Sequence, residues 1–267
     1  MKKKILTCMI AFVMTVVMTL GLAGCSEGYL PEYENEYFRY AVRTNKDGTK
    51  EGYLIGFTEL GAEQEYLILP QEIDGIPIVD IGYERQLGWG TETISNFINN
   101  KIEKLYVNFD YSSIYYSNCH ADIPNCRLVI WMENGELSRH RIPGSKGAIL
   151  GKKILEKNLV EGINNNYHLL ANLSYLYNFG EDQLNNYYWV DSYDNSTVEF
   201  IPPEPTREGY EFGGWYKEPE CENAWDFATD KTGNEIVIEA YSNFEDYAEC
   251  NITYLYAKWI KEGETMK

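Results

Sequence analysis

Basic residues are scarce in this chain of 267: Lys and Arg number 23 against 41 Asp and Glu, a formal charge of −18. Nucleic acid is gripped by clustered Lys and Arg on its phosphates, so this balance sets it aside as a partner. Histidine is scarcer still. His120, His140 and His168 are the three present, none in an HExxH or Ser/His/Asp context, and the GxSxG turn of a serine hydrolase is absent. Carboxylates, by contrast, are too numerous for spacing to single out a catalytic pair, and the chain is read as not an enzyme. CxxC and paired Cys/His arrays are missing, which leaves no zinc site. Asp191, Asp194 and Asn195 lack the spacing of a calcium loop and read as a turn, so no metal is expected. A phosphate loop ending at Gly151-Lys152 would need glycine at position 146, where lysine stands, and no cofactor is implied.

There is a single long apolar run, and it lies at the N-terminus. Lys2, Lys3 and Lys4 precede uncharged residues 5–22, the basic region and hydrophobic region of a secretory signal peptide, with a membrane-spanning anchor as the competing reading. Leu22-Ala23-Gly24-Cys25 directly follows and resembles the bacterial lipobox. That resemblance implies cleavage after residue 24 and a diacylglycerol on Cys25, hence a chain held by lipid on the outer face of the bacterial cell membrane. Loss of residues 1–24 lowers Lys plus Arg from 23 to 20 against 41 acids, a charge of about −21. Such an acidic surface keeps copies apart and needs no functional explanation. The sequons at Asn172, Asn195 and Asn251 carry little meaning in a bacterial chain.

Of six cysteines, Cys8 leaves with the signal and Cys25 takes lipid. Cys119, Cys126, Cys221 and Cys250 remain, and four cysteines allow three connectivities outside the reducing cytosol. Local pairing of Cys119 with Cys126 and of Cys221 with Cys250 keeps each bridge inside one segment; free buried thiols are the competing state.

After a short acidic, tyrosine-rich tether over 25–36, short β-branched runs separated by turns dominate: YLILP at 66–70, IPIVDIG at 76–82, KLYV at 104–107 and RLVI at 127–130. No 3.6-residue period is sustained, so these are strands. Their spacing suggests stacked repeats, each burying its apolar face on the next. EYLILPQEIDGIPIVDIG, residues 65–82, resembles the BspA-like leucine-rich repeat of bacterial surface antigens through Leu69-Pro70, Ile73-Asp74-Gly75, Pro77-Ile78 and Ile81-Gly82. The resemblance implies a short, degenerate solenoid over 37–144. A connector follows over 145–166, in which 152–163 has the pattern of a three-turn helix packed on one side.

From residue 167 the character is again β. HLLANLSYLYNF at 168–179 alternates like a half-buried strand, YYWVDSY follows at 187–193, and ITYLYAKW at 252–259 closes the chain before a tail over 262–267. PTREGYEFGGWY at 205–216, WDF at 225–227 and LYAKW at 255–259 together resemble the Listeria-Bacteroides repeat, or internalin-type B-repeat. This resemblance implies a small α+β, β-grasp-like domain over 167–261 in which Tyr210, Phe212, Trp215 and Trp259 are structural core, and Tyr216 points away. It also brings Cys221 and Cys250 together.

The whole therefore reads as mainly β with some α, a leucine-rich-repeat solenoid followed by a B-repeat domain. The expected role is adhesion or binding of an extracellular protein or glycan by a lipid-anchored surface protein. A glycan-binding or carbohydrate-processing accessory, or a structural spacer, is the alternative, and no residue can be named as the ligand site.

Overall fold

The computed structural model describes residues 28–109, 123–132, 147–152, 168–180, 186–238 and 251–263. In chain order the strands begin with β1 (Glu32–Glu34), β2 (Phe38–Thr44), β3 (Lys50–Phe57), β4 (Tyr66–Ile68), β5 (Glu72–Ile73), β6 (Ile76–Ile81), β7 (Tyr83–Leu87) and β8 (Gly90–Ile94). β9 (Lys104–Phe109), β10 (Arg127–Met132), β11 (Ala148–Leu150), β12 (His168–Leu170) and β13 (Leu173–Leu176) follow. The last are β14 (Tyr187–Asp191), β15 (Tyr210–Tyr216), β16 (Ile236–Ile238) and β17 (Thr253–Lys261). A single turn of helix, α1 (Glu59–Ala62), is capped by Thr58, whose hydroxyl accepts the Gly61 amide proton. The described residues are mainly β with almost no helix.

Residues 32–81 supply a five-stranded sheet in the order β1-β2-β3-β6-β5. Its β5–β6 corner is a two-residue turn at Asp74-Gly75, both with positive φ (54° and 73°). That geometry matches the right-handed twist of the strands it joins and explains the Asp-Gly pair. This part departs from the expected stacked coils over 37–144. β4 and β5, read together as one repeat, enter different sheets.

A second sheet carries the order β16-β12-β11-β10-β9-β4, and β4, β9, β10, β11 and β12 run parallel in chain order. Leu105 faces Leu128, Leu128 faces Ala148, and Ile149 faces Leu169, so partners lie 23, 20 and 20 residues apart. The first step, Leu67 to Leu105, takes 38 residues because β5 to β8 are inserted in it. β11 falls within the expected connector. The helix expected at 152–163 lies outside the described residues, apart from Lys152.

Both faces of this central sheet are buried, as all-parallel ladders require. Leu67, Leu105, Val107, Leu128, Ile130 and Leu150 pack on one side with Phe38, Val42, Leu54 and Ile78 of the first sheet. On the other side Ile68, Tyr106, Val129, Ile149 and Leu169 meet Tyr175, Trp189, Trp215 and Leu255. Those belong to a third sheet, β14-β13-β17-β15. Three layers result, joined through the middle one. The third sheet has no helix among its described residues, in contrast to the α+β domain implied by the resemblance.

The run at 168–179, expected as one half-buried strand, is divided between two strands, with Leu169, Leu170 and all four residues of β13 buried. β12 completes the parallel ladder, and β13 starts the third sheet. Asn172 makes the corner. Its amide NH2 donates to the Tyr193 carbonyl at 2.9 Å and the Gly233 carbonyl at 3.0 Å, and its side-chain oxygen accepts the Tyr193 amide at 3.1 Å. Fully buried and fully bonded, this sequon asparagine is a structural residue.

Candidate functional site

The aromatic stretch at 210–216 forms the edge strand β15, antiparallel to β17. Phe212 faces Trp259 and Trp215 faces Ala257, so three residues on β15 match two on β17. The extra residue is a bulge at Gly213-Gly214, with Gly214 at φ 102°. In a regular strand residues 212 and 215 would point to opposite faces, and the bulge restores them to the same one. Trp215 is thereby buried, edge-on to Tyr175 at 4.9 Å between ring centroids. Phe212 and Trp259 are half-buried and pack against the same cluster, and the Trp259 indole N–H donates to the Tyr177 carbonyl. Tyr210 sits differently, outside that cluster. The Arg207 guanidinium lies 4.0 Å above its ring and reaches Phe179 at 5.0 Å and Trp259 at 5.8 Å. Tyr216 is on the other face, where Lys258 lies 4.7 Å over its ring.

A different place gathers polar chemistry. Tyr66, Lys104 and Arg127 are the first residues of β4, β9 and β10 and stand in register as one row across the parallel ladder. Opposite them run the loop after β14 and Glu235, and between lies a cleft of about 230 Å³ lined also by Glu103, Asp194 and Glu199. The Tyr66 hydroxyl donates to Glu199 at 2.6 Å, and Arg127 pairs with Glu235 at 3.5 Å. Burial and then the Glu199 carboxylate hold the Tyr66 phenol well above its ordinary 10.0.

Lys104, which lines the cleft, pairs beneath it with a buried carboxylate. Asp191, 1% exposed, accepts from the Lys104 ammonium at 2.8 Å, the Tyr106 hydroxyl at 2.7 Å and the Ser192 amide at 2.7 Å. Lys104 also donates to the Ser192 carbonyl at 2.9 Å and lies 3.7 Å over the Tyr193 ring. Burial first, then Asp191, drives the Tyr106 and Tyr193 phenols far up. The Ser192 hydroxyl beside them is buried without a hydrogen-bond partner among the described residues. Asp191, read from sequence as part of a turn, is instead the last residue of β14 and a junction between two sheets. Lys104 and Tyr106 carried no sequence signal beyond strand character.

The remaining sequence candidates divide by position. Cys25, Cys119 and Cys250 lie outside the described residues, as do His120 and His140. Cys126 is buried in the core between the first and central sheets. Cys221 sits at φ 54°, its sulfur 3.5 Å from the Asn178 amide nitrogen, and burial pushes its thiol up while Lys258 pulls it down. His168 begins β12 opposite Ile238. No group of three or more metal-ligating side chains occurs among the described residues.

No helix among the described residues is long and apolar enough to cross a membrane. No solved structure matches the chain. A protein of Evansella cellulosilytica that bears a provisional name as a Gly-rich membrane protein is 40% identical over 48 residues, and the match spans 18% of this chain and 5% of that protein. The closing LYAKW strand at 255–259 follows the segment that matches a known family, yet β17 is hydrogen-bonded between β13 and β15 inside the same sheet. Residues 175–240 match the family model of the Listeria-Bacteroides repeat domain.

Proposed function

We propose that this is a lipid-anchored protein of the bacterial cell surface that binds an extracellular ligand and catalyses nothing. The repeat domain at 175–240 and the partial likeness to a membrane-named protein support a place at the surface. The parallel rungs 20–23 residues apart support a leucine-rich-repeat origin for the central sheet, because that is the length of one coil in such repeats. Attachment rests on the lipobox at Cys25. Two acyl chains hold a protein stably where one does not. Labelling cells with an alkyne fatty acid marks the wild type and not Cys25→Ala; equal labelling of both ends the anchor reading.

One observation carries the binding role: the cleft where the repeat domain meets the central ladder, in which Tyr66, Glu103, Arg127, Asp194, Glu199 and Glu235 converge. It is smaller than the ~300–1,000 Å³ of ordinary small-molecule sites, so it suits one sugar ring or one side chain of a partner. Fixed carboxylates and a guanidinium offer paired acceptors and donors to sugar hydroxyls, and a tyrosine ring offers a flat apolar face. That chemistry favours a glycan. A glycan array and host-matrix screen with residues 26–267 finds the ligand, and Arg127→Ala and Glu199→Ala lower its affinity at least tenfold. Binding unchanged in both places recognition elsewhere.

A further inference from the structure

The β7–β8 hairpin stands as a separate two-stranded sheet whose root is packed and whose tip is not. At the root, Tyr83 is 1% exposed in a small core with Ala41, Tyr53 and Ile55. At the tip, Leu87 pairs with Gly90, leaving Gly88-Trp89 as a two-residue turn, and Trp89 is 91% exposed. The six residues 86–91, Gln-Leu-Gly-Trp-Gly-Thr, carry no charge in a chain where 24% of residues are charged. An indole is the side chain best suited to a boundary between water and hydrocarbon, being apolar in body with one N–H to leave wet.

Where the chain enters the fold decides what this tip meets. Gly28, Tyr29 and Leu30 lie against the base of this hairpin. The Leu30 amide donates to the Tyr83 hydroxyl at 3.1 Å, the Arg85 guanidinium stacks 3.9 Å over the Tyr29 ring, and a Cβ on Gly28 would come within 2.7 Å of the Arg85 side chain. Cys25 is three residues before Gly28. At ~3.3–3.6 Å per residue, a lipid there holds Gly28 within about 10 Å of its own attachment point. From Arg85 the strand reaches Trp89 in four steps, about 13 Å at ~3.3 Å each. The tip and the anchor therefore lie within similar reach of the hairpin base, close enough for one surface to hold both.

We propose that the Trp89 tip is a membrane-contact element that seats in the lipid interface beside the anchored N-terminus and orients the protein on the bilayer. This rests on the lipid-anchor reading above. A strongly acidic protein is repelled by anionic headgroups. The uncharged tip is a part of the surface that can approach them, and a second attachment point converts a loose tether into a defined orientation.

The test replaces the native anchor, so that it does not depend on lipidation of Cys25. Residues 26–267 bearing an N-terminal histidine tag are tethered to nickel-chelating phosphatidylcholine vesicles containing lipids brominated near the headgroup. Tryptophan emission of the wild type is quenched on these vesicles relative to unbrominated ones. Trp89→Phe, which keeps an apolar tip and removes the reporter, loses at least half of that quenching, whereas Trp225→Phe keeps it. Equal quenching of wild type and Trp89→Phe, or none in the wild type, overturns the proposal. So does concentration-dependent dimerisation that Trp89→Ala abolishes, which would assign the tip to a second copy. Alkyne labelling at Cys25 reads the anchor separately, and either result can fail without the other.

Discussion

At Trp215 a local irregularity of the backbone decides the burial of a large side chain. The bulge returns its indole to the buried face, where it meets Tyr175 edge-on and stacks beside Tyr188. Trp215→Ala leaves a cavity that rigid neighbours cannot fill, and the expected loss is ~3–5 kcal/mol. Tyr216, one residue on, lies over Lys258 at the surface, and Tyr216→Ala stays within about 1 kcal/mol. Urea denaturation of both variants decides it; equal losses would mean that the bulge does not sort the two rings. Lys104 is the polar counterpart. Lys104→Met strands the buried Asp191 carboxylate, and breaking such a pair from one side costs ~3–5 kcal/mol. An unchanged urea midpoint would show that water reaches the pair.

At the scale of elements, β15 depends on two glycines for different reasons. Gly214 holds φ 102°, a conformation that L side chains rarely adopt, and Gly214→Ala costs about 1–2 kcal/mol. A Cβ on Gly213 meets only the Ile260 and Lys258 side chains, at 3.1 and 3.2 Å, which can move aside. Gly213→Ala therefore costs less than Gly214→Ala. Thermal melts of the two variants rank them, and the reverse order would place the strained residue elsewhere. The strands themselves were legible in the sequence: runs at 66–70, 76–82, 104–107 and 127–130 all became strands because β-branched and apolar residues suit a buried pleat. Their partners were not legible. The run at 168–179 divides between two sheets at Asn172, and nothing in its alternation marks the corner, since Leu169 and Leu170 before it and all of β13 after it are buried.

For the molecule as a whole, the central sheet couples the halves. One face completes the core of the first sheet and the other that of the third sheet, so separating them exposes Tyr106, Val129, Ile149 and Leu169. Calorimetry of residues 26–267 is expected to show one transition, and two resolved transitions would mean independent domains. Buried phenols add a pH signature. Tyr106, Tyr175 and Tyr193 all have folded values raised above the ordinary 10.0, chiefly by burial. Each contributes stability that is fully present below pH 10 and declines as the pH rises above it, because only the unfolded chain readily releases the protons. Melting temperature falls above pH 10, with tyrosinate absorbance rising together with unfolding. Early, non-cooperative absorbance from all the tyrosines would contradict their burial.

The sequence by itself determined the β character, the acidic composition and the likeness of residues 175–240 to the repeat domain. Each of these is written in contiguous residues or in composition, through hydrophobic runs, turn pairs such as Asp74-Gly75, and the spaced aromatics of 205–216. Tertiary structure alone decided the three-layer arrangement and the cleft. Lys104 and Asp191 are 87 residues apart, and Tyr66 and Glu199 are 133 apart. Their meeting depends on which strand ends share a row in the parallel ladder and on which face of it the third sheet covers. The hydrophobic pattern of one strand states that it has buried faces and does not name the strand beside it.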